Sequence, residues 1–528
     1  MSRSTKLLVL ATAGAVFALP AAAQIGTAEV TGGVVEGVTA DGVTSFKGIP
    51  FAAPPIGELR WRAPQPLEPW EGVRRADTFG PSCMQAESMM AFLGAPPLIS
   101  EDCLYLNVWT PARNANERLP VMVWIYGGGF AAGSTASPAY DGTQLAKKGV
   151  VLVSVAYRVG AFGFLAHPEL SAESGTGSGN YGLLDLIAGL EWVRDNIAAF
   201  GGDPGNVTIF GESAGGYAVS MLAASPLAAG LFHKAISESG ASFAPPRSGA
   251  PSGAGMNMAT LSVAEAEGKA FLDRLGATSI AAARALDAAT IQQAQGPGLG
   301  TGFWPVADGH VLLGDSYELY SQGRFNDTPI LIGTNSDEGA LFVQQPEISP
   351  ADFQAQVRAQ FGERADAILA AYPHRTPEEA RRAAKNVQRE ALFAWPTWAW
   401  ARQHDRYGEN PVYVYYFDHR TPQTPEGANH ADEIRYVFGT LTSAGGLGEP
   451  RPADLAMSEL LMSYWVNFAR TGDPNGPGLP AWPAFDAEAQ RVLVFDEATS
   501  ARPTPNLPQL EAMDAYFAWQ RERAARAE

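Results

Sequence analysis

A serine flanked by glycines is the side chain of this sequence best suited to chemistry. Ser213 is the centre of Gly-Glu-Ser-Ala-Gly at 211–215, which follows the β-branched and aromatic run 207–210 and precedes the helix-forming run 217–224. A strand, a tight glycine turn and a helix would present the hydroxyl as a nucleophile at a sheet edge. The N–H of Ala214, at the positive end of the helix dipole, could donate to an oxyanion. A short Gly-x-Ser-x-Gly pattern also occurs in ordinary turns. The prediction of a nucleophile therefore depends on a base and an acid elsewhere in the sequence.

A serine nucleophile needs a base, and the base needs a carboxylate to orient it. After a strand–serine–helix turn, the chain order is serine, acid, histidine, which excludes His167. The remaining candidates are His233, His310, His374, His404, His419 and His430. His430, in the loop 421–433 after a predicted strand, is the first choice and His419 the second. We expect His233 and His404 to face solvent and His310 to lie in a turn.

Two further segments could complete the site. Asp337 and Glu338 lie shortly after the apolar run 329–333, just past the C-terminal end of a predicted strand, where ligand-facing groups collect. The spacing alone does not choose between them. The loop Gly-Gly-Gly-Phe at 127–130 fits the other half of an oxyanion hole. Its alternative, a phosphate loop, would need a following Gly-Lys-Ser/Thr, and the glycines at 175–179 lack a preceding strand. We therefore expect no nucleotide.

Strands alternate with helices along most of the chain, which predicts an α/β fold with a large, mostly parallel central sheet flanked by helices. Residues 245–300 and 350–405 should be helical insertions capping the active-site face. Residues 30–51 should form a hairpin at a sheet edge, and residues 54–81 an irregular surface. We predict one catalytic domain over residues 24–528. The predicted strands are 104–109, 121–126, 150–156, 207–210, 234–237, 329–333, 412–417 and 492–495, with helices at 181–200 and 453–470.

The net charge and the first 23 residues indicate which partners and which compartment to expect for the protein. The 528 residues carry a formal net charge of −18, so nucleic acid and anionic membranes would repel the chain. Arg3 and Lys6, the apolar stretch 7–19 and the alanines at 21–23 predict a signal peptide over residues 1–23, cut after Ala23. About 13 apolar residues are too few for a membrane span. We expect a periplasmic or secreted protein without stable membrane insertion, and the oligomeric state is not indicated.

Cys83 and Cys103 are the only cysteines, and export favours a disulfide between them. Closing this loop would stabilise the fold by about 3 kcal/mol. Two cysteines without a nearby histidine cannot complete a zinc shell, so we expect neither a metal nor another cofactor.

Four ordered motifs together resemble the type B carboxylesterases, relatives of the cholinesterases. They are residues 101–109, the glycine loop 127–130, residues 210–216 and residues 337–339, and the likeness spans nearly the whole mature chain. The resemblance implies an α/β-hydrolase fold, Ser213 as nucleophile, Glu338 as acid and His430 as base. It also implies Gly128, Gly129 and Ala214 as oxyanion donors and the Cys83–Cys103 disulfide.

The resemblance extends to residues around the triad. Glu212 matches a family glutamate that supports the imidazolium, although it could also cap the next helix. Ser239 matches a position that hydrogen-bonds near the acid, although it could be purely structural. Phe303 and Trp304 fall where the family has its acyl pocket, although core packing would explain them equally. Cholinesterases hold a quaternary ammonium over a tryptophan in the first disulfide loop; residues 84–102 contain none, so choline esters are not expected.

The expected function is that of a serine carboxylesterase, which hydrolyses small-molecule carboxylic esters to acid and alcohol through an acyl-enzyme, without a cofactor. Two alternatives use the same residues. One is an esterase-like binding protein, which would usually lack a triad member. The other is an amidase with the same triad. The sequence does not indicate the physiological ester.

Overall fold

The computed structural model describes residues 24–249, 258–296, 302–442 and 448–527. The predicted signal peptide, residues 1–23, lies outside the described residues, as do parts of the first predicted helical insertion at 250–257 and 297–300. Among the residues that are described, no helix is both long enough and apolar enough to cross a membrane.

Each predicted strand is present, and the strand before Ser213 extends further than predicted. The strands are β1 Thr27–Val30, β2 Gly33–Glu36, β3 Val38–Ala40, β4 Val43–Pro50, β5 Val73–Arg75, β6 Ser82–Cys83, β7 Ile99–Ser100, β8 Tyr105–Thr110, β9 Leu119–Ile125, β10 Val151–Val155, β11 Gly202–Glu212, β12 Lys234–Glu238, β13 Ala259–Thr260, β14 Val306–Ala307, β15 Ile330–Asn335, β16 Val412–Phe417, β17 Arg491–Phe495 and β18 Ser500–Pro503.

Helices occupy the predicted segments and both insertions. They are α1 Glu87–Leu93, α2 Thr143–Lys147, α3 Gly160–Phe164, α4 Pro168–Ser174, α5 Tyr181–Asn196, α6 Ala214–Ala224, α7 Leu261–Arg274, α8 Ile280–Arg284, α9 Ala288–Gln295, α10 Ser316–Ser321, α11 Pro350–Phe361, α12 Ala365–Ala371, α13 Pro377–Arg389, α14 Trp395–Tyr407, α15 Ile434–Phe438, α16 Pro452–Thr471 and α17 Leu507–Ala527. A π-helical turn, Glu390–Ala394, joins α13 to α14.

One eleven-stranded sheet organises the chain, in the spatial order β18-β17-β16-β15-β12-β11-β9-β10-β8-β4-β3. The strands from β17 to β10 in that order run parallel, while β18 and the β8-β4-β3 edge are antiparallel. The parallel strands are buried on both faces, which explains their continuous apolar runs. Because parallel strands all end at one edge, β11, β12, β15 and β16 bring their carboxyl ends together there.

Aromatic packing fixes the strand that precedes Ser213. The Trp124 ring in β9 lies 4.9 Å from the ring of Phe210 in β11 and 4.9 Å from Phe438 in α15. Such pairs contribute about 0.5–1.5 kcal/mol each beyond the area they bury. Since α15 follows the loop of His430, this cluster ties the strand that precedes Ser213 to the segment that carries the predicted base.

Two expectations for the first hundred residues were wrong in part. Residues 30–51 form two hairpins rather than one: β1 and β2 join β5 in a separate three-stranded sheet, while β3 and β4 form the edge of the large sheet. Trp61, predicted to lie on an irregular surface, is 2% exposed and donates its indole N–H to Ala161 O at 2.8 Å. The prolines around it signal irregular backbone, but they do not show that the backbone covers the core.

Candidate active site

Ser213 occupies a strained turn between β11 and α6. Its φ of 55° and ψ of −123° lie in a region that residues with a side chain rarely adopt. The close packing of the turn requires glycine at 215, where a Cβ would lie 2.0 Å from Ile125 O. Ser213 is partly exposed, whereas its neighbours Glu212 and Ala214 are buried.

His430 lies in the loop between β16 and α15, within hydrogen-bonding distance of the serine. Its Nε2 is 2.9 Å from Ser213 Oγ, and its Nδ1 is 2.5 Å from Glu338 Oε2. Two hydrogen bonds hold the loop of His430 (the base loop) against the loop of Glu338 (the acid loop). Asp337 N donates to Ala428 O at 2.8 Å, and Asn335 Nδ2 donates to Asn429 O at 2.8 Å.

Glu338, rather than Asp337, faces the histidine. Its other oxygen, Oε1, accepts hydrogen bonds from Asn335 N at 2.7 Å and from Ser239 Oγ at 2.6 Å, and the residue is fully buried. The Asp337 carboxylate lies instead 2.7 Å from Lys385 Nζ. The two neighbouring carboxylates therefore point in different directions and contact different partners.

The glycine loop after β9 lies beside the serine turn. Gly128 has a φ of 118°, and a Cβ there would lie 2.3 Å from Ala132 O, so only glycine fits. No oxygen of the described residues accepts a hydrogen bond from the N–H of Gly128 or Gly129. Ala214 is the first residue of α6, where backbone N–H groups have no intrahelical acceptor. These three N–H groups are available to a substrate oxygen.

A sequence profile of the carboxylesterase family matches residues 21–513. The chain belongs to this family. It is 38% identical over 511 residues to the fumonisin B1 esterase of Sphingopyxis macrogoltabida, covering 90% of this chain and 88% of that protein. It is 37% identical to the para-nitrobenzyl esterase of Bacillus subtilis (strain 168), covering 92% of this chain and 97% of that one.

A solved structure of a PNB esterase superposes on this chain with a TM-score of 0.79 at 34% identity, covering 93% of this chain and 99% of that one. The predicted α/β-hydrolase fold is thus confirmed, and so is the predicted family. The protein is a carboxylic ester hydrolase of the serine carboxylesterase type, and small-molecule esters are its class of substrate.

Neighbouring carboxylates set the charge of His430 in this carboxylesterase, and Glu212 and Glu338 contribute most. Glu212 Oε1 lies 3.2 Å from His430 Nε2, on the serine side of the ring. Burial lowers the pKa of His430, but Glu212 and Glu338 raise it by more, to about 9. Burial also raises the pKa of Glu212 to about 7, although His430 opposes the rise. The site therefore favours a positively charged imidazole.

Sequence reasoning missed two further buried glutamates, which lie beyond Glu338 and Ser239. Glu433 Oε1 lies 3.4 Å from Ser239 Oγ, and Oε2 accepts from Asn335 Nδ2 at 2.5 Å. Burial and the neighbouring carboxylates Glu212, Glu238 and Glu338 raise the pKa of Glu433 well above its usual range. Burial likewise raises the pKa of Glu238 to about 8. A glutamate inside the apolar strand β12 was the available signal.

The predicted acyl-pocket residues lie in different surroundings. Phe303 packs edge-on against Phe271 at 4.9 Å. Trp304 packs edge-on against Phe130 of the glycine loop at 5.0 Å and against Tyr217 of α6 at 5.5 Å. Of the two, Trp304 contacts elements of the site.

A disulfide joins Cys83 and Cys103, whose Cα atoms are 5.0 Å apart. Next to it, Gln85 Nε2 donates to Gly133 O at 2.7 Å, and Ser82 Oγ donates to Ser134 Oγ at 2.8 Å. The disulfide loop therefore supports the segment that follows the glycine loop 127–130.

The other histidines have different roles. His419, the second choice as base, is buried, and its Nε2 lies 2.7 Å from Asp454 Oδ1. His404 was expected to face solvent, and this was wrong: it is fully buried against Tyr320 and Phe325, and burial lowers its pKa to about 4. Its polar sequence neighbours were misleading because α14 packs directly on the sheet. His233 is half-buried, and its Nδ1 accepts from Val207 N at 3.2 Å.

Proposed function

We propose that Ser213, His430 and Glu338 are the catalytic triad of this carboxylesterase. The observation that supports this is the continuous pair of hydrogen bonds from Ser213 Oγ through the imidazole to Glu338, with lengths of 2.9 and 2.5 Å. Three side chains that are distant in the sequence meet in the order that proton transfer from a serine requires.

In the proposed reaction, His430 Nε2 takes the proton of Ser213 as Oγ attacks the ester carbonyl. Gly128, Gly129 and Ala214 donate to the resulting oxyanion. The imidazolium then protonates the leaving alcohol, and an acyl-enzyme remains on Ser213. Water, deprotonated by the same histidine, attacks the acyl carbonyl and releases the acid.

Neighbouring residues have supporting roles in this proposal. Glu212 stabilises the imidazolium, and it lies on the Nε2 side where the positive charge forms. Ser239 holds the Glu338 carboxylate, to which it donates at 2.6 Å. Trp304 forms a wall of the acyl site, while Phe303, packed on Phe271, has a structural role.

The substrate preference can be narrowed by chemistry and by the relatives. Residues 84–102 contain no tryptophan to hold a quaternary ammonium, which disfavours choline esters. The names of two relatives make fumonisin B1 and p-nitrobenzyl esters candidate substrates of this enzyme. A panel of esters that varies acyl and alcohol size separately would rank them.

The test of the triad is pre-steady-state hydrolysis of p-nitrophenyl acetate. We expect a burst of p-nitrophenol equal to the enzyme concentration, which Ser213→Ala abolishes. A folded wild-type protein without a burst would favour the binding-protein alternative. An ester should be cleaved much faster than its matched anilide, and equal rates would favour the amidase.

We also propose that the protein is exported after cleavage near Ala23 and that residues 24–528 form a single catalytic domain. The disulfide supports an oxidising compartment. One sheet that takes its strands from residue 38 to residue 503 supports a single domain. N-terminal sequencing of the exported protein, with Gln24 first, would test the cleavage site.

A further inference from the structure

The helical segment formed by α13 and α14 is interrupted beside His430. Between α13 and α14, residues Glu390–Ala394 form a π-helical turn, in which Trp395 N donates to Glu390 O five residues earlier. Pro396 explains the interruption. It lies in the first turn of α14 and has no N–H, so it cannot donate to Leu392 O as an α-helix would require. Single π turns inside helices are frequently found at functional sites.

The carbonyl of Leu392, which Pro396 leaves without its α-helical donor, is bound by a side chain of α6. The hydroxyl of Tyr217 donates to Leu392 O. Tyr217 itself lies in the first turn of α6, where its N–H donates to Ser213 O at 2.8 Å. The π turn is therefore connected to the residue that carries the nucleophile through one side chain.

The start of the π turn is attached to the acid loop. Arg389 and Glu390 form a buried ion pair, with Arg389 Nε donating to Glu390 Oε1 at 3.0 Å. The guanidinium also donates to Ser336 O at 2.6 Å, two residues before Glu338. A buried arginine held at both ends fixes the turn relative to the acid.

Phe393, inside the π turn, covers one face of the catalytic imidazole. The two ring centroids are 4.5 Å apart, the planes are inclined by 30°, and Phe393 is 1% exposed. The hydrogen bonds to Ser213 and Glu338 lie along the edge of the imidazole, so they fix where its nitrogens point but resist tilting of the ring only weakly. A flat aromatic side chain against the face supplies that resistance. Each residue turns an α-helix by about 100°, so the extra residue of the π turn decides which way Phe393 points.

We propose that the π turn Glu390–Ala394 positions the catalytic histidine and that Phe393 is its positioning residue. This inference rests on the proposed triad. The turn is connected to the segment of each triad member. It contacts α6 through Tyr217 and the imidazole through Phe393, and it is joined to the acid loop through Arg389, the ion-pair partner of Glu390. Misplacing a reacting group by about 1 Å costs about 100-fold in rate.

The first test is Phe393→Leu, which keeps an apolar side chain but removes the flat ring. We expect kcat for p-nitrophenyl acetate to fall about 10- to 100-fold with KM within about twofold. The far-downfield proton resonance of His430 Nδ1–H, which reports the short bond to Glu338, should broaden. The matched control is Phe361→Leu, since Phe361 is equally buried but packs on Tyr516, and it should leave both readouts unchanged.

Tyr217→Phe is the second test, because it removes only the hydroxyl that binds Leu392 O. It should lower kcat in the same direction by a smaller factor and broaden the same resonance, and it remains informative if Phe393→Leu does not fold. Unchanged kcat and resonance in either folded variant would overturn the proposal, as would an equal loss in Phe361→Leu. A raised KM with unchanged kcat would make Phe393 a wall of the substrate site instead. If the wild type shows no Ser213-dependent burst, the proposed triad fails, and the resonance still tests the contact.

Discussion

Replacing Glu212 by glutamine should shift the pH dependence of ester hydrolysis to lower pH. The pKa of His430 is about 9 rather than near 6.5, and Glu212 at 3.2 Å raises it, together with Glu338 and Asp432. An opposite charge at this distance is worth about one to three pKa units. Only the neutral imidazole can accept the serine proton, so the neutral fraction at about pH 7 is on the order of 1% in the wild type.

Glutamine has nearly the shape of glutamate but no charge, so the neutral fraction at pH 7 should rise about tenfold or more in Glu212→Gln. At the same time the imidazolium of the transition state loses an ion pair, which lowers the maximal rate. The change in the neutral fraction and the change in the maximal rate can be distinguished when activity is measured over the full pH range. The midpoint of the acid limb should move down by about one unit or more, and the plateau should fall.

The assay is kcat/KM for p-nitrophenyl acetate from about pH 5 to about pH 10, corrected for spontaneous hydrolysis, because this profile reports the free enzyme. Glu71→Gln, at an exposed carboxylate, is the control and should leave the profile unchanged. If Glu212→Gln lowers the plateau but leaves the midpoint in place, Glu212 does not set the pKa of the base, and the electrostatic reasoning fails.

Three other predictions follow from the surroundings of the site. Glu338→Gln should lower kcat by about 10²- to 10⁴-fold, whereas Asp337→Asn, which only loses Lys385, should mainly lower the melting temperature; the reverse result would show that the acid is misassigned. Reducing the Cys83–Cys103 disulfide should lower the melting temperature by the equivalent of about 3 kcal/mol, and an unchanged melt with two free thiols would contradict this. Because the folded pKa of Glu238 is about 8, above its ordinary value of 4.5, the stability of the fold should decrease as pH rises through that range. Glu238→Gln should therefore be more stable than wild type by a few kcal/mol at about pH 9 and nearly equal at about pH 5, as measured by urea unfolding.

The fold was predictable because its signals are local. Apolar runs such as 121–126 and 329–333 mark strands buried on both faces, and glycines with a serine between them mark a strand–helix turn. The burial of Trp61 and His404 was not predictable in the same way. Both lie in segments of mixed composition, where the path of the chain over the core depends on contacts with residues distant in the sequence.

The choice between neighbouring side chains also depends on distant residues. Asp337 and Glu338 have the same chemistry and adjacent positions, and the difference between them is that Lys385, 48 residues later, lies beside Asp337. Likewise nothing local assigns Phe393 to the site. Its position follows from Pro396, which interrupts the helix, and from Tyr217, 175 residues before the carbonyl it binds. Spacing can identify the loops of a site, but it cannot identify the partners that orient each side chain.

Buried carboxylates mark this site more directly than any motif. Glu212, Glu238 and Glu433 are each at most 3% exposed, and burial raises the pKa of all three. A carboxylate in an apolar strand or at a buried turn destabilises the fold, so its presence conflicts with packing alone. Such conflicts persist where function requires them. Here the buried carboxyl groups lie behind and beside the histidine whose positive form the proposed reaction needs, which gives the destabilising residues a chemical reason.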